Sequence, residues 1–315
     1  MTYMDKIDMV YLWCDGNDPE FRKRKNQYMP GAPTDEKITG EMRFFDNDEL
    51  KYSLRSLEKY APWINHVYII TDRQVPKWLN TDYEKVTIVD HSEIMPKEII
   101  PLFNATVIEY FLPFVPNLSE KFLYSNDDMF FGAPVTPDYF FNGDRPIVRM
   151  RKSKSLPYKN NVISKGSRRA LRLLEGTYNR LEWYRMHHQI DAYTKSAYKD
   201  TLARYHEEFA STYGNRFRAE NDLGRVIFGV DAVYADKADL EIVKPLSFFE
   251  KKILSLFKQV TCDGIVGNEG EKSCKEVLKY KPKLFCFNSM AGSSESEYSR
   301  RFLDSMFPEP SKFEK

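Results

Sequence analysis

The chain has 315 residues, 42% of them hydrophobic and 30% charged, and its 47 Lys and Arg residues nearly balance 46 Asp and Glu residues. This composition supports one large domain with an insertion or two modest domains, and it excludes an intrinsically disordered chain. A net charge of +1 gives no attraction for a polyanion, so nucleic acid is not an expected partner.

The cysteines and apolar segments indicate in which cellular compartment the protein works. Four scattered cysteines without a C-x-x-C pair favour reduced thiols in a cytosolic protein over a zinc ribbon or a thioredoxin-like motif. Residues 1–8 carry charges and no apolar run, which argues against a signal peptide. The most apolar stretch, residues 99–116, is broken by polar residues and prolines, whereas a membrane span needs roughly 20 apolar residues. We therefore expect a cytoplasmic protein without a transmembrane segment.

Strands and helices are predicted to alternate along the first 130 residues. Short apolar runs predict strands at 7–13, 66–71, 86–89 and 121–125, and helices are predicted at 46–60 and 104–112. This alternation implies a Rossmann-like α/β fold, with a mainly parallel sheet flanked by helices. Ligands of such sheets bind beyond the carboxyl ends of the strands, and each predicted strand is followed directly by polar residues.

The first predicted helix has a clear pattern. Asp46 is placed to cap it, with Glu49 three residues later, while Leu50, Leu54 and Leu57 recur on one face. A proline then ends the helix.

The rest of the chain is divided by composition. Residues 149–172 are strongly basic, and helical segments are predicted at 170–174 and 195–209. We predict three parts: an α/β core at 1–148, a mostly helical insertion or cap at 149–225, and the remainder of the catalytic domain at 226–315. Within the last part, we expect a loop at 261–275, a short strand at 284–287 and a polar, mobile tail from 293.

Asn126, Asp127 and Asp128 directly follow the fourth predicted strand. Adjacent carboxylates there suit Mg²⁺ or Mn²⁺, which takes one or two protein carboxylates and completes its shell with phosphate oxygens and water. A turn followed by a helix cap uses the same residue types. The apolar strand before the tripeptide and the polar ends of the other strands favour the metal site.

The segment Asp15-Gly16-Asn17-Asp18-Pro19 follows the first strand. Glycine lets backbone amides approach a pyrophosphate or a uracil closely, and the aspartates can hold a ribose or the metal. An ordinary Asp-Gly turn is the alternative for this segment alone. The sequence has no G-x-G-x-x-G or P-loop motif, which argues against a dehydrogenase or an NTPase.

Histidines are candidates for a general base. His187 and His188 are adjacent, and histidine titrates near neutrality, as a base for an acceptor hydroxyl should. Asp191, three residues on, can orient His188. A histidine pair is more often structural than catalytic, and His91, after the third strand, has the same ambiguity.

Arginines are candidates for phosphate binding. Arg218 and Arg169 can each bind phosphate with two donors. A solvated charged face is the ordinary alternative for both.

With these residues in view, the chain resembles the Stealth family. These are hexose-1-phosphoryltransferases of bacterial capsules and surface glycans, related to the lysosomal-enzyme N-acetylglucosamine-1-phosphotransferase of animals. The first family block is similar to residues 7–19, with Cys14 where the family usually has valine. The second block resembles residues 43–56, 60–63, 69–72, 74–79, 91–94 and 122–128.

The later blocks match less fully. The third is similar to residues 188–191 and 218–222, and the fourth to residues 284–288. Ser289 stands where the family normally has Asp, which removes one expected metal or substrate contact. The strong resemblance covers residues 7–132, and a patchy one continues to about residue 290.

The resemblance implies a fold like that of GT-A glycosyltransferases and a UDP-sugar donor such as a UDP-linked N-acetylhexosamine. An acceptor hydroxyl of a glycan or polysaccharide would attack the phosphorus next to the sugar, forming a phosphodiester and releasing UMP. The enzyme would work in the cytoplasm, or as a peripheral protein at the inner face of the membrane or in a polysaccharide-synthesis complex.

The candidate site residues fall into three groups by role. The expected catalytic residues are His188, His187, Arg218 and Asp48. The expected substrate-binding residues are Asp15, Gly16, Asp18, Arg43, Asp46, Asn47, Asp72, Asn126, Arg169 and Asn288. The expected ligands of Mg²⁺ or Mn²⁺ are Asp127 and Asp128.

Two other functions are compatible with these residues. A glycosyltransferase that attacks the anomeric carbon would use the same metal and nucleotide site but release UDP. A non-catalytic glycan-binding protein that kept the fold is the other alternative, and Ser289 is its main motivation.

Overall fold

A computed structural model of the chain describes residues 6–33, 35–40, 44–152, 161–180, 182–186, 189–243, 263–268, 271–288 and 294–315. The strands are β1 (Ile7–Leu12), β2 (Val67–Thr71), β3 (Val86–Asp90), β4 (Lys121–Asn126), β5 (Met129–Phe131), β6 (Phe141–Asn142), β7 (Arg145–Lys152), β8 (Tyr184–Met186), β9 (Asp191–Thr194), β10 (Asp239–Ile242), β11 (Asp263–Asn268) and β12 (Leu284–Asn288).

The α-helices are α1 (Pro19–Gln27), α2 (Glu36–Thr39), α3 (Glu49–Tyr60), α4 (His91–Ile94), α5 (Ala105–Glu109), α6 (Val162–Tyr178), α7 (Lys195–Arg204), α8 (His206–Ala210), α9 (Val226–Tyr234), α10 (Glu271–Tyr280) and α11 (Ser294–Met306). None of the helices in the described ranges has the length and apolar character that a membrane span requires.

The central sheet has the strand order β3-β2-β1-β4-β9. Its first four strands are parallel, and β9 runs antiparallel to β4. Successive residues of a strand point to opposite faces, so Val10 and Phe122 enter one apolar core while Met9 and Leu123 enter another. The predicted α/β fold with a mainly parallel sheet is therefore confirmed.

The strand order reverses between β1 and β4. From β1 the chain builds outward to β2 and β3, then crosses back to place β4 on the other side of β1. Leu12 lies beside Asn126 in the parallel register, so both strands end at the same level of the sheet. Such a reversal opens a crevice at the carboxyl ends of the strands.

Helix α3 begins later than predicted. Leu50, Leu54 and Leu57 are buried as its periodicity indicated, but the N-cap is Asp48 rather than Asp46, and the Asp48 side chain makes no capping bond. The Glu49 carboxylate instead accepts a hydrogen bond from the backbone N–H of Asn47, at 2.6 Å. Asp46 and Asp48 therefore lie in a loop before the helix.

Two other predicted helices are interrupted. The segment at 104–112 is the short helix α5, capped by the Asn104 side chain, followed by a separate 3-10 turn at Leu112–Phe114. The segment at 195–209 divides at Tyr205 into α7 and α8.

The C-terminal region differs most from expectation. The glycine-rich segment predicted as a loop contains β11 and the start of α10, and β11 pairs in parallel with β12, which pairs with β5. The tail predicted to be mobile is ordered, because α11 packs on the protein and Phe307 and Phe313 are buried.

Residues 149–225 contain both helices and strands. Helices α6, α7 and α8 lie here, together with the end of β7 and strands β8 and β9. Since β9 is the edge strand of the central sheet, this region contributes directly to the carboxyl edge of the sheet.

Candidate functional site

Carboxylates converge at the crevice between β1 and β4. Asp127 and Asp128 directly follow β4. Asp46, in the loop before α3, and Glu49, the first residue of α3, lie within electrostatic range of Asp127. Burial, followed by the nearby charges of Asp128, Glu49 and Asp46, raises the pKa of Asp127 well above its usual range. The sequence predicts a site made of strand ends, and within this group only Asp127 and Asp128 follow a strand.

Asp46 connects this cluster to the end of β1. Burial raises its pKa to about 6; the indole of Trp13 acts in the opposite direction, and the carboxylates of Asp48 and Asp15 raise it further. Asp15 and Asp127 therefore both lie in the electrostatic surroundings of Asp46.

The loop after β1 has a fixed backbone. The amide of Gly16 donates to the carbonyl oxygen of Phe44, and a Cβ at position 16 would lie 2.3 Å from that oxygen. Gln74 holds the loop from the other side, accepting from the Asp15 amide at 3.1 Å and donating to the Asp15 carbonyl at 2.9 Å. Only glycine fits this close approach of two backbones.

Two of the predicted substrate-binding carboxylates already have partners. Asp18 is the N-cap of α1, accepting from the amide of Glu20 at 2.9 Å, and Gln74 lowers its pKa by hydrogen bonding. Asp72, at the end of β2, is paired with Arg24 at 2.9 Å and is buried. Both side chains stabilise the loops around the crevice.

His91 is buried at the start of α4. Burial lowers its pKa to about 4, against the opposing charges of Asp72 and Asp90. It is neutral at physiological pH, which fits a structural position.

A group of buried charges lies on the other side of β4, and of its members the sequence pattern singled out only Asp191. Arg225 contacts Asp191 at 3.1 Å and Glu109 at 3.5 Å, and its guanidinium lies 4.6 Å from the centre of the Tyr124 ring. Asp191 is the first residue of β9 and pairs with Tyr124 of β4. This group, which we call the Arg225 cluster, consists of Arg225, Asp191, Glu109 and Tyr124.

The Arg225 cluster reaches the acidic tripeptide through Tyr124. The Tyr124 hydroxyl donates to Glu109 Oε1 at 3.0 Å and lies 3.1 Å from Asn126 Oδ1. Asn126 in turn directly precedes Asp127. No local sequence signal links these residues, because they come from four separate elements and meet only in the folded chain.

Arg218 lies next to this cluster and is half-buried. Burial lowers its pKa, while Glu109, Tyr124 and Asp222 act in the opposite direction. Among the residues that the structure describes, Arg218 has no ion-pair partner, and its buried Nε has no hydrogen-bond acceptor.

Arg169 and Asp48 have protein contacts. Arg169 donates to the carbonyl oxygen of Asn221, in the loop that carries Arg218. Asp48 accepts a hydrogen bond from Arg300 of α11 at 2.7 Å. Arg300 was not among the predicted site residues.

Several predicted residues fall outside the described ranges. They are Arg43, His187, His188 and Ser289. For Asn288 the structure gives the backbone, at the end of β12 beside Asn268.

The carboxylates of the crevice are also candidate metal ligands. The described residues contain no group of three or more His, Cys, Asp or Glu side chains arranged to hold a metal ion. Two adjacent carboxylates in a crevice of concentrated negative charge nevertheless match the donor set of Mg²⁺ or Mn²⁺, which obtains its other ligands from phosphates and water. Asp127 and Asp128 fit a cation of this kind.

These features define a mainly parallel α/β protein with an acidic crevice at the strand-order reversal. Residues 5–32 match the model of Stealth protein conserved region 1, and residues 43–148 match that of conserved region 2. The chain belongs to the Stealth family, since relatives in this family cover most of its length, which confirms the resemblance seen in the sequence.

Three relatives illustrate this membership. Capsular polysaccharide phosphotransferase cps12A of Actinobacillus pleuropneumoniae is 34% identical over 85% of this chain and 76% of its own length. Cps1A of the same species is 39% identical over 69% of this chain, which spans only 62% of that relative. The capsular polysaccharide phosphotransferase of Actinobacillus suis is 32% identical over 89% of this chain and 81% of its own.

Among solved structures, the chain is similar to the galactosyltransferase LgtC in complex with donor and acceptor sugar analogues. That similarity has a TM-score of 0.46 at 9% sequence identity, covering 97% of this chain and 98% of the other.

Proposed function

We propose that this protein is a sugar-1-phosphate transferase. It moves an (N-acetyl)hexose-1-phosphate from a UDP-sugar to a hydroxyl of a capsular or surface polysaccharide, forming a phosphodiester and releasing UMP. Membership of the Stealth family, with relatives named capsular polysaccharide phosphotransferases, supports this reaction class.

The acidic crevice is the observation that carries the proposal. Asp127 is surrounded by the charges of Asp128, Glu49 and Asp46, which are costly to hold together unless a cation offsets them. Asp127 and Asp128 would hold Mg²⁺ or Mn²⁺, which when bound neutralises charge on the donor phosphates. Asp15 and Gly16 would then contact the nucleotide, and Asp46, Asn47 and Asn126 would bind the donor at the edge of the crevice.

Arg218 would supply positive charge for the transferred phosphoryl group. The transition state of phosphoryl transfer is loose, so positioning and charge neutralisation supply most of the rate. Arg218 has no ion-pair partner among the described residues and would bind a phosphoryl oxygen with its guanidinium. Arg169 would support the loop that carries Arg218.

The base that accepts the proton of the attacking hydroxyl would be His188 or His187. The Arg225 cluster supports this assignment indirectly, because Asp191 begins β9 only three residues after His188 and is held in place by Arg225. A useful base contributes about 10²–10⁴-fold in rate.

The three-part organisation remains part of this proposal. Residues 1–148 would bind the nucleotide sugar, residues 149–225 would form a cap with basic residues, and residues 226–315 would complete the catalytic domain. The protein would act in the cytoplasm or at the inner face of the membrane, on a UDP-sugar and a polysaccharide acceptor.

Identification of the released nucleotide tests the proposal. The protein is incubated with a panel of nucleotide sugars, an acceptor polysaccharide and Mg²⁺ or Mn²⁺, and nucleotides are separated by chromatography. UMP is the expected product, and UDP would identify a glycosyltransferase instead. Asp128→Asn serves as the control, and it should remain folded and release no nucleotide. If the wild type turns over no donor, a glycan-binding function replaces this one.

A further inference from the structure

Helices α3 and α11 meet along a series of polar contacts. Asp48, the N-cap of α3, accepts from Arg300 at 2.7 Å. One turn further along both helices, the Tyr52 hydroxyl donates to Asp304. The two contacts are in register, so the C-terminal helix is aligned along the first turns of α3, directly beside the acidic loop.

The contact continues to the end of the chain. Arg55 makes two hydrogen bonds to the Glu314 carboxylate, at 2.7 and 2.6 Å, and a third to the carbonyl oxygen of Phe307 at 2.8 Å. Both side chains of the Arg55–Glu314 pair are about nine-tenths buried, at 10% and 9% exposure. This pair anchors α11, so the position of Arg300 relative to the crevice is determined by the fold.

Asp48 has an unusual backbone. Its φ of 63° is in the left-handed region, which residues other than glycine rarely occupy, and its side chain does not cap α3. It stands between Asp46 and Glu49, whose charges act on Asp127. A strained backbone next to a crevice points to a residue held for a purpose other than helix stability.

We propose that Arg300 is a positioning residue that holds the Asp48 carboxylate at the acidic crevice. The C-terminal segment 294–315 thereby completes the active site. The Arg300 side chain is 45% exposed and that of Asp48 27%, and ion pairs this exposed contribute little to stability. The contact therefore acts mainly on the orientation of Asp48. This inference rests on the proposed function and on the sequence prediction that Asp48 is a catalytic residue.

The variant Arg300→Gln tests the inference in the full-length protein. Removing the partner that orients an active-site group commonly costs 10- to 100-fold, so we expect kcat to fall by about that factor with little change in the KM for the donor. Arg300→Lys keeps the charge and should restore most of the activity.

Two control variants separate positioning from general loosening of α11. Arg301→Gln removes the adjacent arginine, which pairs with Glu297 on the same helix, and should leave kcat unchanged. Tyr52→Phe removes the neighbouring contact to Asp304 without touching Asp48 and should have a much smaller effect than Arg300→Gln.

A double-mutant cycle gives the final measurement. In an Asp48→Asn background, Arg300→Gln should cause no further loss of kcat, because the group it positions is already changed. Three results would each overturn this inference while leaving the proposed function intact. They are additive losses in the cycle, an Arg300→Gln variant that behaves like Arg301→Gln, and a raised donor KM at unchanged kcat. A wild-type protein that releases no nucleotide from any donor would overturn the proposed function, and this inference with it.

Discussion

The guanidinium of Arg225 forms an ion pair with Asp191, at 3.1 Å, where the first residue of β9 pairs with Tyr124 of β4. The same guanidinium contacts Glu109, so one largely buried cation is shared by two buried carboxylates. This arrangement joins the end of β4, where the acidic tripeptide 126–128 lies, to the start of β9, which follows His187 and His188 in the sequence.

Replacing Arg225 tests how much this cluster contributes to the free energy of unfolding. Arg225→Met leaves Asp191 and Glu109 buried without their cation, and we expect the free energy of unfolding to fall by about 3–5 kcal/mol. Urea unfolding followed by circular dichroism measures the change. Arg145→Met is the matched control, because Arg145 also pairs with two carboxylates but is 37% exposed, and it should cost far less stability than Arg225→Met. Equal losses for the two variants would contradict the role assigned to Arg225.

The pKa of Asp191 predicts a pH dependence of stability. Burial raises this pKa from 3.8 to about 6, so between these values the folded protein retains a proton that the unfolded chain has lost. The contribution of Asp191 to stability is therefore full below about pH 4 and decreases as the pH rises to about 6.

Asp191→Asn removes this titration. We expect the unfolding free energy of the variant, relative to the wild type, to rise by about 1–3 kcal/mol between pH 4 and pH 6 and then to level off. Urea unfolding of both proteins across that range measures the difference. A difference that is constant with pH would show that Asp191 has an ordinary pKa in the folded protein.

Gly16→Ala tests the close backbone approach at the crevice. The new Cβ would lie 2.3 Å from the carbonyl oxygen of Phe44, so one of the two loops must move. We expect a loss of about 1–3 kcal/mol in stability and a weaker affinity for the nucleotide sugar, measured by thermal unfolding and calorimetry. Gly176→Ala is the control: it lies within α6 with open space around it, so it should stabilise the protein by about 0.5–1 kcal/mol.

Asp127→Asn should separate stability from activity. The substitution removes one carboxylate from a group whose members repel one another. The melting temperature without divalent cation should therefore stay the same or rise. Nucleotide release should fall by at least about 10²-fold, because the proposed site would lose a ligand of its cation. Thermal unfolding and a nucleotide-release assay measure the two effects. A variant that is both unstable and inactive would indicate a structural role for Asp127.

The sequence by itself determined the four parallel strands of the central sheet and the residues that follow them, but not the antiparallel edge strand β9. Apolar runs specify β1, β2, β3 and β4 locally, and an aspartate or an Asn-Asp-Asp tripeptide follows where each apolar run stops. Because parallel strands end at one edge of a sheet, the alternation of strands and helices was sufficient to predict that Asp127 and Asp15 share a neighbourhood.

Only the tertiary structure decided the contacts between residues far apart in the chain. Arg225, Asp191 and Glu109 belong to separate elements, and Arg300 lies 252 positions from Asp48, so no local pattern relates them. The glycine-rich segment became β11 because β12 supplied a pairing strand, and the polar tail became ordered because Arg55 bound Glu314. Local propensity predicts where a segment can form a strand or a helix, but pairing and burial against a distant partner determine whether it does so.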